Sequence, residues 1–292
     1  MDSQPRSICL VGVGLITGSL GLALRAAGAA GEVTGFGRDP QRLEKARALG
    51  AIDRFSTDPH QVVAQADVVV LGVPLGAVAP VLAQLAPALP ADAVLTDVGS
   101  AKGCVVADVE RVLDGLPGGF VPGHPIAGTE HSGVEAAFAA LYQNRRVILT
   151  PTRATRPGAT EIITAMWQAA GATVTTMSVA HHDRMLAMTS HLPHMLAFGL
   201  VDMLSRAPDH EEILDYAAGG FRDFTRIASS DPVMWRDVCL GNREAILSAL
   251  GDYQRDLTEL ARLIESADAA GLESVFASAK ATRDANRHRF ED

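Results

Sequence analysis

Near its start the chain reads Gly12-Val13-Gly14-Leu15-Ile16-Thr17-Gly18-Ser19-Leu20, a glycine-rich turn between an apolar run and a helical pattern. The first glycine permits a tight turn, and Gly14 lets the main chain approach a pyrophosphate at the helix N-terminus. The third glycine position of the usual fingerprint holds Thr17, with Gly18 just after it. Because a strand precedes the turn and a helix follows it, we predict a dinucleotide-binding turn. An ordinary tight strand-to-helix turn is the alternative.

The tip of the second predicted strand, Gly35-Phe36-Gly37-Arg38-Asp39, bears on which dinucleotide binds. NAD sites place an acid there, about 20 residues past the glycines, to bind the ribose. That slot is Gly37 here, and the following Arg38 favours a 2′-phosphate, so we predict NADP as the preferred cofactor and NAD as a second one. Asp39 suits a helix N-cap, and a solvated surface charge is the alternative for Arg38. The residues predicted to contact the cofactor are Gly12, Gly14, Leu15, Ile16, Thr17, Gly18, Arg38, Val73, Pro74 and Ser100.

Outward from the turn, short apolar runs alternate with helical patterns, which is typical of a doubly wound α/β fold. Several runs are continuously apolar, and this predicts a mostly parallel sheet covered on both faces. Asp39-Pro40 supplies an N-cap and a first-turn proline for a helix over Gln41–Leu49, and Asp58-Pro59 repeats the signal. The predicted strands are Ile8–Val13, Val33–Phe36, Val68–Val73, Val94–Val98, Phe120–Pro122, Arg146–Thr150 and Thr173–Thr176.

After about residue 178 the strand signals stop. We therefore predict a Rossmann-like dinucleotide-binding domain over residues 1–178 and an all-helical domain over residues 179–292. Pro193 is expected to kink or divide the first helix of this second domain. Its apolar faces fit either a self-contained bundle or half of a dimer core. The predicted helices are Val179–Leu204, Glu211–Ala218, Pro232–Glu265 with a potential break, and Gly271–Arg289.

The composition excludes several classes of protein. The chain has 292 residues, 48% of them hydrophobic, and its net charge of −9 disfavours binding to nucleic acid or to anionic membranes. Three cysteines (Cys9, Cys104 and Cys239) lie far apart, which argues against a disulfide framework or a common zinc site. We find neither a signal peptide nor an apolar run of the roughly 18–20 residues that cross a bilayer. We therefore expect a cytoplasmic protein.

Three polar clusters stand out in a chain rich in Ala, Val and Leu: His124–Gly133, Ser190–His194 and Gly219–Ala228. They hold imidazoles, whose ordinary pKa suits proton transfer near neutrality, and guanidinium groups that can grip a carboxylate through two hydrogen bonds. Together with a dinucleotide site, they indicate hydride chemistry on a small anionic substrate.

The histidines of the second cluster could also suggest a metal. His191 and His194 are spaced to share one helix face, provided that the helix continues past Pro193. No third ligand lies at a suitable spacing, so we predict no metal, and a role as a satisfied core histidine stays open for one of the two. His182 precedes His191 by nine residues, half a turn out of phase, so a single straight helix cannot direct both to one point.

At these clusters the chain resembles the prephenate/arogenate (cyclohexadienyl) dehydrogenase family, the oxidative decarboxylases of tyrosine biosynthesis. The resemblance implies oxidation of a cyclohexadienol with hydride transfer to NAD(P)+, loss of its ring carboxylate as CO2, and a homodimer formed through the helical domain. Five motifs carry it, in the family's order across about residues 8–245: Gly12–Gly18, Val98–Lys102, His124–Gly133, Ser190–His194 and Gly219–Asp237.

The resemblance also implies roles for individual residues. His124 would be the base at the substrate hydroxyl, and Ser100 a second catalytic residue, although a turn or N-cap serine is the alternative. Arg226 would bind a substrate carboxylate, with Arg222 four residues away as an assistant. Lys102 reads as a surface residue. Glu130, Asp223 and Trp235 would form an ionic gate around Arg226, but Glu130 could equally be a helix-entry acid, Trp235 a core residue and Arg222 a structural one. The implied substrate-binding set is His182, His191, His194, Arg222, Arg226, Thr129, Glu130, Asp223 and Trp235.

Two other readings of the sequence compete with this one. A different NADP dehydrogenase or imine reductase with a helical second domain would be expected to depend on a Lys or Asp of that domain. A non-catalytic NADP-sensing module would keep the glycine turn and Arg38 without needing the histidines. Within the family, no residue distinguishes prephenate, with a keto side chain, from arogenate, with an amino side chain.

Overall fold

A computed structural model describes residues 7–129 and 131–289 of the chain. Its main sheet has six parallel strands: β1 (Ser7–Val11), β2 (Glu32–Phe36), β3 (Arg54–Ser56), β4 (Val68–Leu71), β5 (Val94–Asp97) and β6 (Phe120–Val121). Between them lie α1 (Leu15–Ala26), α2 (Pro40–Ala48), α3 (Val78–Leu85) and α4 (Gly103–Val112). The strand order is β3-β2-β1-β4-β5-β6, so the direction of winding reverses between β1 and β4. Ligands of such sheets bind at the carboxyl ends of the strands beside this reversal.

Both faces of the main sheet are covered, as the continuous apolar runs predict. Along β1, Ile8 and Leu10 enter one apolar cluster, and Cys9 and Val11 enter another. The first cluster contains side chains of α1 and α2, and the second contains side chains of α3 and α4. Alternate residues of a strand point to opposite faces, so each run must be apolar throughout. The predicted α/β, doubly wound fold is confirmed.

A second sheet follows the first and corrects one expectation. Its strands are β7 (Gly123–Ile126), β8 (Arg146–Leu149) and β9 (Thr173–Thr176), with α5 (Pro157–Ala169) between the last two. β7 runs antiparallel to β8. The strands predicted at Arg146 and Thr173 belong to this second sheet and lie outside the main one. Sequence analysis missed β7 because glycine and proline disfavour strands. Pro125 is tolerated because β7 is an edge strand of its sheet.

The remaining chain is helical, as predicted. Pro193 is the second residue of α7, and the break expected there is a π-helical turn over Ala187–His191. The long predicted helix after Pro232 is divided at Asn242. The helices are α6 (Val179–Leu186), α7 (Leu192–Ser205), α8 (His210–Asp215), α9 (Gly219–Thr225), α10 (Pro232–Gly241), α11 (Arg243–Glu265) and α12 (Ala269–Ala285).

The chain divides into two compact units, one that ends at Ala245 and one that starts at Ile246. Helices α6 and α10 belong to the first unit because their side chains bind the loops of the main sheet: Asp183 accepts from the amides of Lys102 and Gly103, and Asp237 accepts from Gly76. The boundary at residues 178 and 179 stays a prediction. No helix of the described ranges is both long and apolar enough to span a membrane, and the cytoplasmic location also stays a prediction.

Candidate active site

The glycine turn has the shape that a dinucleotide pyrophosphate requires. Gly12 has φ +79°, and a Cβ there would lie 2.9 Å from the carbonyl oxygen of Gly72 and from Val73 Cγ1. The Gly12 amide donates to the Phe36 carbonyl at 2.8 Å, which joins the turn to β2. At Gly14 a Cβ would meet nothing within 4 Å. The start of α1 is therefore open, and its first amides are available to an anion.

Thr17, in the slot of the third glycine, is buried and stabilises the turn. Its hydroxyl donates to the Gly12 carbonyl at 2.6 Å and accepts from the Gly14 amide at 3.3 Å. A third glycine would allow close packing here, and Gly72 on the facing segment allows it instead, because a Cβ on Gly72 would lie 2.2 Å from the Thr17 methyl group. The departure from the usual fingerprint thus leaves the turn intact.

The other residues predicted to contact the cofactor lie around this turn. Leu15 is buried in the core, the Ile16 carbonyl accepts from Tyr142, and a Cβ on Gly18 would lie 3.0 Å from Val134, so close packing surrounds the start of α1. Val73 and Pro74 follow β4, and Ser100 follows β5, at the same edge of the main sheet.

Beyond β2, the side chain of Asp39 caps α2 by accepting from the amides of Gln41 and Arg42, as the sequence predicts. Arg38 is exposed beside it. The carboxylate of Asp39, which is nearest to the expected ribose position, is therefore already bound at the start of α2.

His124 lies three residues past the end of β6, as the second residue of β7. It is buried, and its Nδ1 lies 2.9 Å from Nε2 of His182. His182 is wholly buried, and its Nδ1 lies 2.8 Å from the Asp183 carboxylate. A continuous chain of hydrogen bonds therefore runs from Asp183 through His182 to His124.

The electrostatics of this chain favour a neutral His124 and an ionised Asp183. Burial, followed by the neighbouring His182, Lys102 and His191, lowers the pKa of His124 well below its ordinary value. For Asp183, burial raises the pKa, but hydrogen bonds from His182 and from the amides of Lys102 and Gly103 outweigh it and lower the pKa overall. His124 is thus available as a proton acceptor near neutral pH.

Lys102 lies beside His124 in the structure and is not the surface residue that its sequence position allowed. Its side chain is completely buried, pairs with the Asp97 carboxylate at the end of β5 and donates to the Gly123 carbonyl at 2.7 Å. Asp97 also accepts from the Gly123 amide at 3.2 Å. The pair therefore holds both main-chain groups of the residue before His124. A carboxylate that ends a buried strand needs a nearby cation, and this signal could have identified Lys102.

The π-helical turn changes which way His191 points. In a regular helix, His182 and His191 would lie about 180° apart. The wider π turn accommodates one extra residue and reduces this angle by about 100°. Both imidazoles are completely buried, and both influence the pKa of His124. The helix is not straight, so the geometric objection drawn from the sequence does not apply.

Asn242, at the division between α10 and α11, fixes the orientation of His191. Its side-chain amide donates to the Asp183 carbonyl at 2.8 Å and lies 3.1 Å from His191 Nδ1. Both N–H groups of the Asn242 amide donate, so Nδ1 of His191 is an acceptor and its Nε2 carries the proton. This Nε2 is buried without a well-aligned partner among the described residues, close to the main chain of Ser100. Burial lowers the pKa of His191 to about 4. Sequence analysis missed Asn242.

His194 and Trp235 form a second group beside this one. Their rings stack with centroids 3.8 Å apart and an interplanar angle of 22°, and His191 meets the same indole edge-on at 6.0 Å. Burial lowers the pKa of His194. The hydrogen bond to the Ser190 carbonyl raises this pKa, and the nearby charge of Arg226 lowers it. The structure thus brings Arg226, His194 and Trp235 together.

Other residues of the predicted set are not brought together. Arg222, Asp223 and Arg226 are exposed, and no ion pair joins them within the part of the chain that the structure describes. Glu130 lies outside the described residues, and Thr129 is exposed, its hydroxyl accepting from the His131 amide. The ionic gate therefore stays a prediction. Across residues 7–129 and 131–289, no three metal-ligating side chains converge.

Two family models match the chain in succession. One describes the nucleotide-binding domain of prephenate dehydrogenase and matches residues 20–176. The other describes the dimerization domain of prephenate dehydrogenase and matches residues 178–278. Among individual proteins, the cyclohexadienyl dehydrogenase of Zymomonas mobilis is 39% identical over 266 residues, which are 90% of this chain and 90% of that protein.

Solved structures agree with these matches. The prephenate dehydrogenase of A. aeolicus in complex with hydroxyphenyl propionate and NAD+ has a TM-score of 0.88 and 38% identity, covering 95% of this chain and 97% of that one. Synechocystis arogenate dehydrogenase has a TM-score of 0.81 and 29% identity, covering 95% of this chain and 99% of that one. With a nucleotide-binding turn, a buried neutral histidine and two matching family models, the chain belongs to the prephenate/arogenate dehydrogenase family.

Proposed function

We propose that this chain oxidises and decarboxylates a cyclohexadienol dicarboxylate, prephenate or arogenate, in tyrosine biosynthesis. As a member of its family it is an oxidoreductase that uses a nicotinamide cofactor. The observation that carries the proposal is the buried His124, which is hydrogen-bonded to His182 and follows a residue held by Asp97 at the end of β5. The A. aeolicus relative binds a hydroxyphenyl carboxylate together with NAD+, which matches the product class of this reaction.

In this mechanism, Nε2 of His124 accepts the proton of the substrate hydroxyl while the adjacent C–H bond breaks. A nicotinamide cofactor held at the Gly12–Gly18 turn would supply the hydride acceptor. The ring carboxylate then leaves as CO2, its bonding electrons complete the aromatic ring, and the ring oxygen takes back a proton. Ser100 follows β5 at the same edge and is proposed to assist at the hydroxyl or the nicotinamide.

The substrate carboxylates require cations and hydrogen-bond donors. We propose Arg226 as the main carboxylate ligand, with His194 beside it and the protonated Nε2 of His191 as a further donor. Arg222, Thr129, Glu130, Asp223 and Trp235 complete the proposed substrate-binding set. The proposed domain boundary, at residues 178 and 179, places Thr129 and Glu130 in the nucleotide-binding domain and the other residues of this set in the helical domain.

Steady-state kinetics of the purified chain test this function. Prephenate and arogenate are each assayed with NADP+ and NAD+, and turnover of at least one substrate is expected. The ratio of kcat/KM values for the two substrates gives the preference. Cofactor binding without turnover in all four pairings would overturn the proposal and favour a different dehydrogenase or a sensor.

We propose NADP as the preferred cofactor, although the A. aeolicus relative was solved with NAD+. The support is the exposed Arg38, the absence of a side chain at Gly37 and the commitment of Asp39 to the α2 cap. Arg38→Ala is expected to lower kcat/KM for NADP+ about 10-fold and to leave NAD+ nearly unchanged, since hydrogen bonds to charged groups contribute about 1.5–3 kcal/mol. Arg111→Ala, an exposed arginine of α4, is the control. An equal effect on both cofactors would contradict the preference.

We also propose a homodimer. Its support is the match to a dimerization domain and the large apolar side chains exposed on each of the two units, such as Tyr216 and Leu240 on the first and Ile264 and Phe276 on the second. Light scattering after size-exclusion chromatography is expected to give twice the chain mass of 30.7 kDa. A monomer at micromolar concentration would contradict it.

A further inference from the structure

We propose that Asp183 and His182 are positioning residues that fix the proton on Nδ1 of His124 and so leave its Nε2 free to act as the base. This inference rests on the proposed role of His124. Neither residue needs to touch the substrate, because both ring nitrogens of His182 face protein groups: His124 on one side and Asp183 on the other.

The proton positions follow from the first member of the chain. An ionised carboxylate can only accept, so the Asp183 oxygen requires the proton of His182 on Nδ1. In the neutral imidazole, Nε2 of His182 is then an acceptor. The hydrogen bond at 2.9 Å therefore requires a proton on His124 Nδ1. The lone pair of His124 is left on Nε2, as a base at the substrate hydroxyl needs.

Asp183 is well placed to impose this order, because it is itself fixed at several points. Its two carboxylate oxygens accept from the amides of Lys102 and Gly103, both at 2.8 Å, at the start of α4. Its carbonyl accepts from Asn242 at 2.8 Å. A carboxylate anchored at a helix N-terminus stays ionised and keeps its orientation.

The same chain places a negative charge two hydrogen bonds from His124. When His124 takes the hydroxyl proton, a positive charge forms in a buried position, where an uncompensated charge is costly. Lys102 adds a like charge nearby, but it is already paired with the Asp97 carboxylate. The Asp183 carboxylate therefore offsets the charge that forms on His124. The geometry thus accounts for a base that is neutral at rest and still able to accept a proton.

A pair of substitutions at His182 tests the acceptor. In the His182→Gln variant, the side-chain carbonyl can still accept from His124 Nδ1. In the His182→Leu variant, the side chain offers no acceptor. We expect His182→Leu to lower kcat by about 10²-fold or more and His182→Gln to lower it less, with KM and cofactor affinity little changed in both. His181→Gln, at the exposed neighbouring position, is the matched control and should match the unsubstituted enzyme. Wild-type kcat in His182→Leu would overturn the proposal.

Asp183→Asn tests the charge of the chain. Oδ1 of Asp183 accepts from both His182 and the Lys102 amide, so the side-chain carbonyl of the variant is expected to keep this place and its N–H groups to face Gly103. The proton then stays on Nδ1 of His124 and only the negative charge is lost, so we expect kcat to fall about 10-fold or more because the positive charge that forms on His124 is no longer offset. A wild-type kcat in this variant would overturn the role of the Asp183 charge.

A direct measurement does not depend on any variant or on turnover. Nitrogen-15 NMR of the histidine-labelled, unsubstituted chain should show His124 protonated on Nδ1 and unprotonated on Nε2 at pH 7. A proton on Nε2 would overturn this inference even if the enzyme is active. The expected tautomer combined with no turnover of either substrate would overturn only the proposed function.

Discussion

At the scale of single residues, His124 has one ring nitrogen left for a ligand, because its other nitrogen faces His182 at 2.9 Å. We predict that His124→Asn lowers kcat by about 10²–10⁴-fold, the usual contribution of a general base. The affinity for the cofactor should be nearly unchanged, since the glycine turn that is predicted to bind it does not include His124. Steady-state kinetics and a fluorescence titration with the cofactor measure the two effects. Surviving turnover would show that the base is another group.

Arg226 has a separate role that kinetics can distinguish from that of His124. It is exposed and close enough to His194 to lower the pKa of that imidazole. We predict that Arg226→Ala raises KM about 10-fold or more and changes kcat less, because hydrogen bonds to charged groups contribute about 1.5–3 kcal/mol.

Arg222→Ala, four residues earlier on the exposed face of α9, is the comparison for this experiment. It should raise KM by a smaller factor. If the order of the two effects is reversed, the carboxylate ligand is Arg222.

At the scale of elements, two glycines of the same segment have different duties. A Cβ on Gly21, inside α1, would lie 2.0 Å from the Ala51 carbonyl oxygen, whereas a Cβ on Gly14 would meet nothing within 4 Å. We predict that Gly21→Ala lowers the free energy of unfolding by about 1–3 kcal/mol, as overpacking does. Gly14→Ala should leave stability unchanged and weaken cofactor binding, because its methyl group faces the pyrophosphate position.

Chemical denaturation and cofactor titration of both variants check this contrast. Each variant serves as the control for the other. A loss of stability in Gly14→Ala, or none in Gly21→Ala, would contradict the assignment of packing to one glycine and ligand approach to the other.

The elements that sequence analysis predicted are those with a local signal. β1 and β4 are continuously apolar because both their faces are buried, and Asp39-Pro40 marks the start of α2. The strand β7 lacks such a signal, since its glycine and proline are tolerated only at a sheet edge. The π-helical turn is also invisible locally: Pro193 predicts a break but not its geometry, and that geometry directs His191.

At the scale of the whole molecule, the site depends on contacts between segments that are distant in sequence. Lys102 reaches Gly123, Asp183 reaches the amides of Lys102 and Gly103, and Asn242 reaches Asp183. His124 and His191 are named by the family resemblance, and Lys102 has a signal in the carboxylate of Asp97 that ends β5, whereas no pattern in the sequence indicates Asn242. The buried polar groups are satisfied only when all the segments assemble.

This assembly makes the stability of the first unit depend on pH. Burial lowers the pKa values of His124, His191 and His194 below the unfolded value of about 6.5, and that of His191 to about 4. Between these limits the unfolded chain binds protons that the folded chain does not, so stability is lost as pH falls from 6.5 toward 4. We predict that the free energy of unfolding decreases between pH 7 and pH 5, and that the contribution of His191 approaches a slope of about 1.4 kcal/mol per pH unit below pH 6.5. Both tryptophans, Trp167 and Trp235, lie in this unit, so their fluorescence during chemical denaturation reports the change.

His191→Gln should reduce the slope of the free energy of unfolding against pH, whereas His181→Gln, at an exposed position, should not. A free energy of unfolding that is constant or increases on acidification would show that these histidines are protonated in the folded protein.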